Sequence, residues 1–173
     1  VDFAKTYAYP ATDIRSIELD IANGKIDVVK ATDELVTIQV NGKAQLKGTE
    51  EETIAQITEE LVTKTDDKIH MKSENKFTQI KVKIAIPEKH YDVFIARLLT
   101  GAISVENLDA KLIKARTYNG TIRLEESTFD HAELQTSNGA VEARKIKGDD
   151  LEIETANGRI YVDGELKEVE AES

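Results

Sequence analysis

Glycine recurs with a period of 19 along the second half of this chain, at Gly101, Gly120, Gly139 and Gly158. Self-similarity at a fixed period is the mark of stacked repeats, so it constrains the fold before anything else does. Aligned on those glycines, the repeats read YDVFIARLLTGAISVENLD, AKLIKARTYNGTIRLEEST, FDHAELQTSNGAVEARKIK and GDDLEIETANGRIYVDGEL. Two alternating runs flank each glycine. Ahead of it, one apolar column holds Phe94, Ile113, Ala132 and Leu151, and the next holds Ala96, Ala115, Leu134 and Ile153. Behind it come Ile103, Ile122, Val141 and Ile160, then Val105, Leu124, Ala143 and Val162. A period of two buries one face of a strand and wets the other. The expected fold is therefore all-β: a right-handed parallel β-helix or solenoid with 19-residue coils and one short covering helix.

The turn residues repeat as well. Asn119-Gly120, Asn138-Gly139 and Asn157-Gly158 read as a structural turn ladder, with Thr100 in place of Asn in the first coil. Asn tolerates left-handed backbone and Gly enters it freely, so each pair predicts a tight turn. Asn-Gly between alternating runs also suits a hairpin. The constant period favours a bend within a coil, with equivalent residues of successive coils about 4.8 Å apart. Thr117, Thr136 and Thr155 then form a hydroxyl ladder beside the Asn ladder.

One domain over 1–173 is expected. Residues 1–90 form irregular N-terminal coils, 91–166 the four regular repeats, and 167–173 the start of a further coil. IELDIANGKIDVV is an early copy of the repeat; LVTIQV, KIHMKS and QIKVKIAIP read as strands, the last ended by Pro87. The helix falls at about 49–64. Thr49 and Glu52 make a capping box, Glu50 and Glu51 suit the positive helix start, and Ile54, Ile57 and Leu61 form a stripe. It should cover an open end or flank of the strands, since a bare β edge invites aggregation. Val169, Ala171 and Ser173 continue the columns with one residue deleted. That unfinished coil predicts that the natural chain continues or that this end pairs with another molecule, including end-to-end self-association.

Chemistry is sparse. The net charge of -10 opposes nucleic-acid binding, which needs a basic surface. No Cys is present, so disulfides and thiolate metal sites are excluded. No apolar run is long enough to insert into a membrane. His70, His90 and His131 share no metal-ligand spacing and are read as non-ligands. Neither a nucleophile elbow, a P-loop nor a dinucleotide fingerprint occurs. No catalytic, cofactor-binding or metal residue is assigned, and no cofactor is expected.

The outward columns carry the one candidate surface. Residues 119–173 hold 14 acids against 6 bases, whereas 1–118 hold 19 against 17. Behind the glycine the signs alternate, with Arg123 beside Glu142, and Glu125, Arg144 and Asp163 in a run. Ahead of it the pattern breaks. One column runs Lys114, Glu133, Glu152, Glu170, and its neighbour Arg97, Arg116, Gln135, Glu154, Glu172. Like charges one strand spacing apart are unfavourable unless salt screens them or a cation binds. Glu133, Glu152, Glu154, Glu170 and Glu172 are accordingly the candidate patch for a protein or cationic-peptide partner, with Arg97, Lys114 and Arg116 opposing them.

The first coil IELDIANGKIDVV, the strand QIKVKIAIP and the units TYNGTIRL, TSNGAVEA and TANGRIYV give the chain a family likeness. It resembles the bacterial "putative adhesin" β-solenoid domain family of unknown function, over nearly its whole length. Some relatives are similar to envelope-stress, Lia-type surface proteins. The resemblance implies a noncatalytic adhesin-like interaction module of the cell envelope or its stress response, with a surface or extracytoplasmic location favoured over a cytoplasmic one. The alternative is a β-helix polysaccharide-active enzyme, a lyase or hydrolase. That reading is an analogy of fold, and an aromatic content of 5% with no Trp ill suits a sugar-binding cleft.

Overall fold

The computed structural model describes residues 1–73 and 77–173. Among the described residues the chain is all-β with one α-helix. Strands β1 (Asp2–Pro10), β2 (Ser16–Lys30) and β3 (Leu35–Ala44) precede helix α1 (Glu50–Leu61). Then follow β4 (Val62–Thr65), β5 (Lys68–Ser73), β6 (Phe77–Ile86) and β7 (His90–Glu106). The regular repeats supply β8 (Asp109–Asn119), β9 (Ile122–Glu125), β10 (Thr128–Asn138), β11 (Val141–Asn157) and β12 (Ile160–Glu172). The strands join in the order β1-β3-β6-β2-β7-β8-β10-β11-β12, with β4, β5 and β9 paired off that path.

Most of this ladder is parallel, and its register follows the glycine period. Phe94 pairs with Ile113, Ala132 with Leu151 and Ile103 with Ile122, each partner one full period on. The predicted inward columns are buried from Phe94 to Ile153, because alternation turns every second side chain into the core. In the last strand Ile160 and Val162 are only half-buried. The parallel stack also reaches back to β2, where Ile17 pairs with Phe94 and Gly24 with Gly101.

Two ladders hold the glycine corner. Thr117, Thr136 and Thr155, all buried, donate their hydroxyls to the carbonyls of Gly101, Gly120 and Gly139, each at 2.9 Å. Outside them, Asn138 Nδ2 donates to Asn119 Oδ1 at 2.7 Å and Asn157 Nδ2 to Asn138 Oδ1 at 2.9 Å. Glycine is required there by proximity. A Cβ on Gly120 would fall on the carbonyl oxygen of Gly101, one on Gly139 on that of Gly120, and one on Gly158 on that of Gly139. Successive backbones touch at this corner, and any side chain would part them.

The left-handed backbone lies only partly where expected: of the repeat glycines, Gly101 and Gly139 have positive φ, 137 and 159°, and Gly120 and Gly158 do not. Asn119, Asn138 and Asn157 end extended strands, and none has a positive φ. Left-handed backbone recurs regularly at Asn107, Glu126 and Lys145, with φ of 56, 50 and 51°, again one period apart. These three make the second corner of the repeat. The C-terminal deletion falls at the same corner. Ala143 still pairs with Val162 at an offset of 19, but Ile146 pairs with Gly164 at 18. Lys145 therefore has no counterpart in the last strand.

The N-terminal part departs from the repeat. Strand β1, weakly patterned with Phe3 as its buried residue, runs antiparallel to β3, which runs antiparallel to β6. The helix is shorter than predicted. Its capping box is present, with Glu52 N–H donating to Thr49 Oγ1 at 3.2 Å and Thr49 N–H to Glu52 Oε2 at 3.4 Å. It stops at Leu61, because Val62–Thr65 form β4 and pair antiparallel with β5 through a turn at Asp66, φ 54°. The β-branched residues of that tetrad favour the strand. Ile54, Ile57 and Leu61 face the core, and Tyr7 Oη donates to the Thr58 carbonyl at 2.6 Å, so the helix covers the flank near β1, β4 and β5. No helix among the described residues is long and apolar enough to cross a membrane.

Candidate binding face

Parallel register places the acidic residues. Glu133 lies beside Glu152, Glu152 beside Glu170, and Glu154 beside Glu172, so the five carboxylates occupy two neighbouring columns of one outward face. Glu152, Glu154, Glu170 and Glu172 are exposed, and Glu133 is half-buried. Their flanking residues Ala132, Leu134, Leu151 and Ile153 point into the core, which fixes the direction of the column.

The basic end is less free than its sequence implies. Arg97 Nη1 donates to Glu18 Oε1 at 2.9 Å, and Lys68 Nζ reaches Glu18 Oε2 at 2.8 Å. Lys114 Nζ lies 3.3 Å from Glu133 Oε2, which closes the boundary between basic and acidic rungs with an ion pair. Arg116 occupies the register position beside Gln135. Behind the glycine, Arg123 Nε meets Glu142 Oε2 at 3.1 Å as the column predicts. Arg144, in register with Glu125, instead turns its guanidinium onto the Tyr161 ring, 4.2 Å from the centroid, and lies 3.9 Å from Glu142.

Glu133 is the pivot of the face. Its Oε1 is 3.0 Å from His131 Nε2 on the same strand, two residues earlier and therefore on the same side. The His131 contact, with the Lys114 ammonium beside it, holds the Glu133 carboxyl below the usual carboxylate range, against an opposing effect of burial. Glu152 has no ion pair among the described residues. The ligand atoms of His131, Glu133 and Glu152 lie within 4.8 Å of one another. Reading along the chain sets His131 aside as a non-ligand; the ladder brings it to both carboxylates. The available signal is the period itself, since Glu152 stands at Glu133 plus one repeat. Of the other histidines, His90 Nδ1 lies 2.9 Å from Asp109 Oδ1, and His70 is half-buried in β5.

The surface elsewhere offers open grooves. One of about 480 Å³ runs past Phe3, Asn41, Lys43 and Lys81; another of about 380 Å³ lies between Phe129, Gly148 and Leu166.

Fold and face together define a stacked, mainly parallel β domain that presents charge in rungs along one outer side. The chain belongs to the Toastrack DUF4097 family, which it matches over residues 14–173. It is similar to the uncharacterized protein YvlB of Bacillus subtilis, with 25% identity over 117 residues, covering 67% of this chain and 32% of that protein. The chain thus spans about a third of that relative's length. Among solved structures it is similar in fold to a "putative cell adhesion protein" from Clostridium sporogenes, with a TM-score of 0.54 at 10% identity and 99% of each chain covered.

Proposed function

We propose that this chain is a noncatalytic, adhesin-like interaction module of the bacterial cell envelope or its stress response, working from outside the cytoplasm. Its stacked strands act as a single right-handed solenoid domain of 19-residue coils, and a basic protein segment or cationic peptide docks on its C-terminal acidic face. The observation that carries this reading is the in-register stacking of Glu133, Glu152 and Glu170 beside Glu154 and Glu172. Carboxylates one strand spacing apart repel, and a cationic partner relieves that repulsion. Such docking is steered by charge and weakens as salt shortens the screening length to about 8 Å at physiological strength.

The test is calorimetric titration of a cationic antimicrobial peptide into wild type and a Glu133→Gln, Glu152→Gln, Glu154→Gln triple variant. Wild type should bind at low salt and more weakly at physiological salt, and the variant should not bind. Absence of wild-type binding at low salt would remove the peptide partner. Equal affinity in the variant would remove the face.

A further inference from the structure

We infer that His131, Glu133 and Glu152 form a site for a transition-metal dication of the zinc type. The inference rests on these three side chains and is independent of the docking reading. Two strands build the set. His131 and Glu133 stand two residues apart on β10, so both leave the same face of the sheet. Glu152 is the register partner of Glu133 on β11 and brings the third donor across one strand spacing. His131 itself pairs in register with Asp150, a further carboxylate at the margin of the set.

The donor chemistry narrows the ion. An imidazole nitrogen with two carboxylate oxygens is a mixed set suited to zinc and its neighbours, whereas calcium and magnesium favour all-oxygen shells. Zinc binds such donors at about 2.0–2.2 Å, so ligand atoms must close to within about 4 Å of one another. The three already lie within 4.8 Å, and the outermost, Glu152, is exposed and free to rotate inward. His131 Nε2 and Glu133 Oε1 are 3.0 Å apart in a hydrogen bond, and need to part by only about 0.3–0.6 Å to take two tetrahedral positions on one ion.

Lys114 has a defined part in this arrangement. It holds Glu133 Oε2 at 3.3 Å and leaves Oε1 to the metal, so it orients the ligand carboxylate from behind. Three protein donors leave one tetrahedral position for water or an outside ligand. A dication would also relieve the Glu133–Glu152 repulsion locally.

The test is titration of zinc into the whole chain in a non-coordinating buffer, followed by cobalt, whose visible spectrum reports nitrogen and oxygen coordination. One saturable site per chain is expected, with calcium and magnesium far weaker. His131→Ala and Glu152→Gln should each weaken zinc by about tenfold or more, while Glu165→Gln, an exposed acid away from the set, should not. Thermal melts of the variants confirm that the fold is kept, as both positions face solvent. His131→Ala leaves every carboxylate in place, so it should bind a cationic peptide as wild type does; the failure of one reading thus leaves the other standing. No saturable zinc binding, or zinc binding by His131→Ala equal to wild type, overturns the site.

Discussion

The Thr136 hydroxyl donates to the Gly120 carbonyl across two successive strands at 2.9 Å. Thr117 and Thr155 repeat the bond one rung to either side. A buried hydroxyl costs stability unless it is bonded, and a strand-end carbonyl has a spare lone pair to accept it. Thr136→Val keeps the shape and removes the donor. It should lower stability by about 1 kcal/mol, read from denaturant midpoints, and Thr136→Ser should recover part of that. A Val variant as stable as wild type would show that the ladder only fills space.

Gly139→Ala should be far more costly than its single methyl suggests. The added carbon has no room against the Gly120 carbonyl, and the clash is with backbone that cannot rotate away. We expect a loss of about 3 kcal/mol or more, near the upper end for overpacking. Thermal melts decide it. A shift no larger than that of an exposed substitution such as Arg123→Ala would refute backbone contact at this corner.

The opposite change suits the second corner. Glu126→Gly and Lys145→Gly relieve left-handed backbone at φ of 50 and 51°. Against this stands the greater chain entropy of glycine, of about 0.5–1 kcal/mol. Each variant should remain within about 1 kcal/mol of wild type, with stabilisation the expected direction. A marked loss in either would mean that its side chain supports the turn.

Acid should unfold the protein partly through Glu18. Its hydrogen bond from Lys68, aided by Arg97, holds its carboxyl below the ordinary 4.5 in the folded chain. A carboxylate depressed by folding contributes stability above its unfolded value, and that contribution is lost as pH falls through the folded one. Glu18→Gln should therefore be less stable than wild type near neutrality, and the two should converge in acid. Parallel stability curves down to the acid transition would contradict the pairing.

Alkali should act through Tyr91. Burial pushes its phenol up to about 12 from 10.0, and its Oη donates to the Pro87 carbonyl at 2.9 Å. A phenol raised by folding supplies stability that is complete below the unfolded value and lost as pH climbs through the folded one. In a spectrophotometric titration Tyr91 should ionise in a late phase, at about 12. Tyr91→Phe should remove the last phase. If Tyr91→Phe leaves the alkaline end of the titration unchanged, Tyr91 is more accessible than its packing implies.

The period makes the core legible. Once Gly120 and Gly139 are aligned, Ile113, Ala132 and Leu151 fall into one column by counting, and the Glu133–Glu152 rung follows from the same arithmetic. The helix start is readable because Thr49 and Glu52 carry their own signal. Strand β1 is not, since Lys5, Tyr7 and Tyr9 do not alternate cleanly and its pairing with β3 is antiparallel and local to no repeat. Nor are two of the three left-handed corners, because Glu126 and Lys145, unlike Asn107, are neither Gly nor Asn. The Asn-Gly pairs mislead for a related reason. Their glycines answer to a neighbouring backbone and their asparagines to one another, so a turn preference read along the chain misses both. His131 is lost in the same way, since its carboxylate from β11 stands more than a full repeat away in sequence and one strand away in space.

The carboxylate column is also a ruler. Its rungs are spaced at about 4.8 Å, the distance between paired strands. A basic helix lying along it offers one residue per turn at about 5.4 Å, and so drifts by only about 1.2 Å over the three rungs from Glu133 to Glu170. An extended segment, with alternate residues about 6.8 Å apart, falls out of step by about 4 Å over the same span. On the proposed docking, the spacing alone would therefore sort partners of equal charge by their secondary structure, in favour of the helical ones.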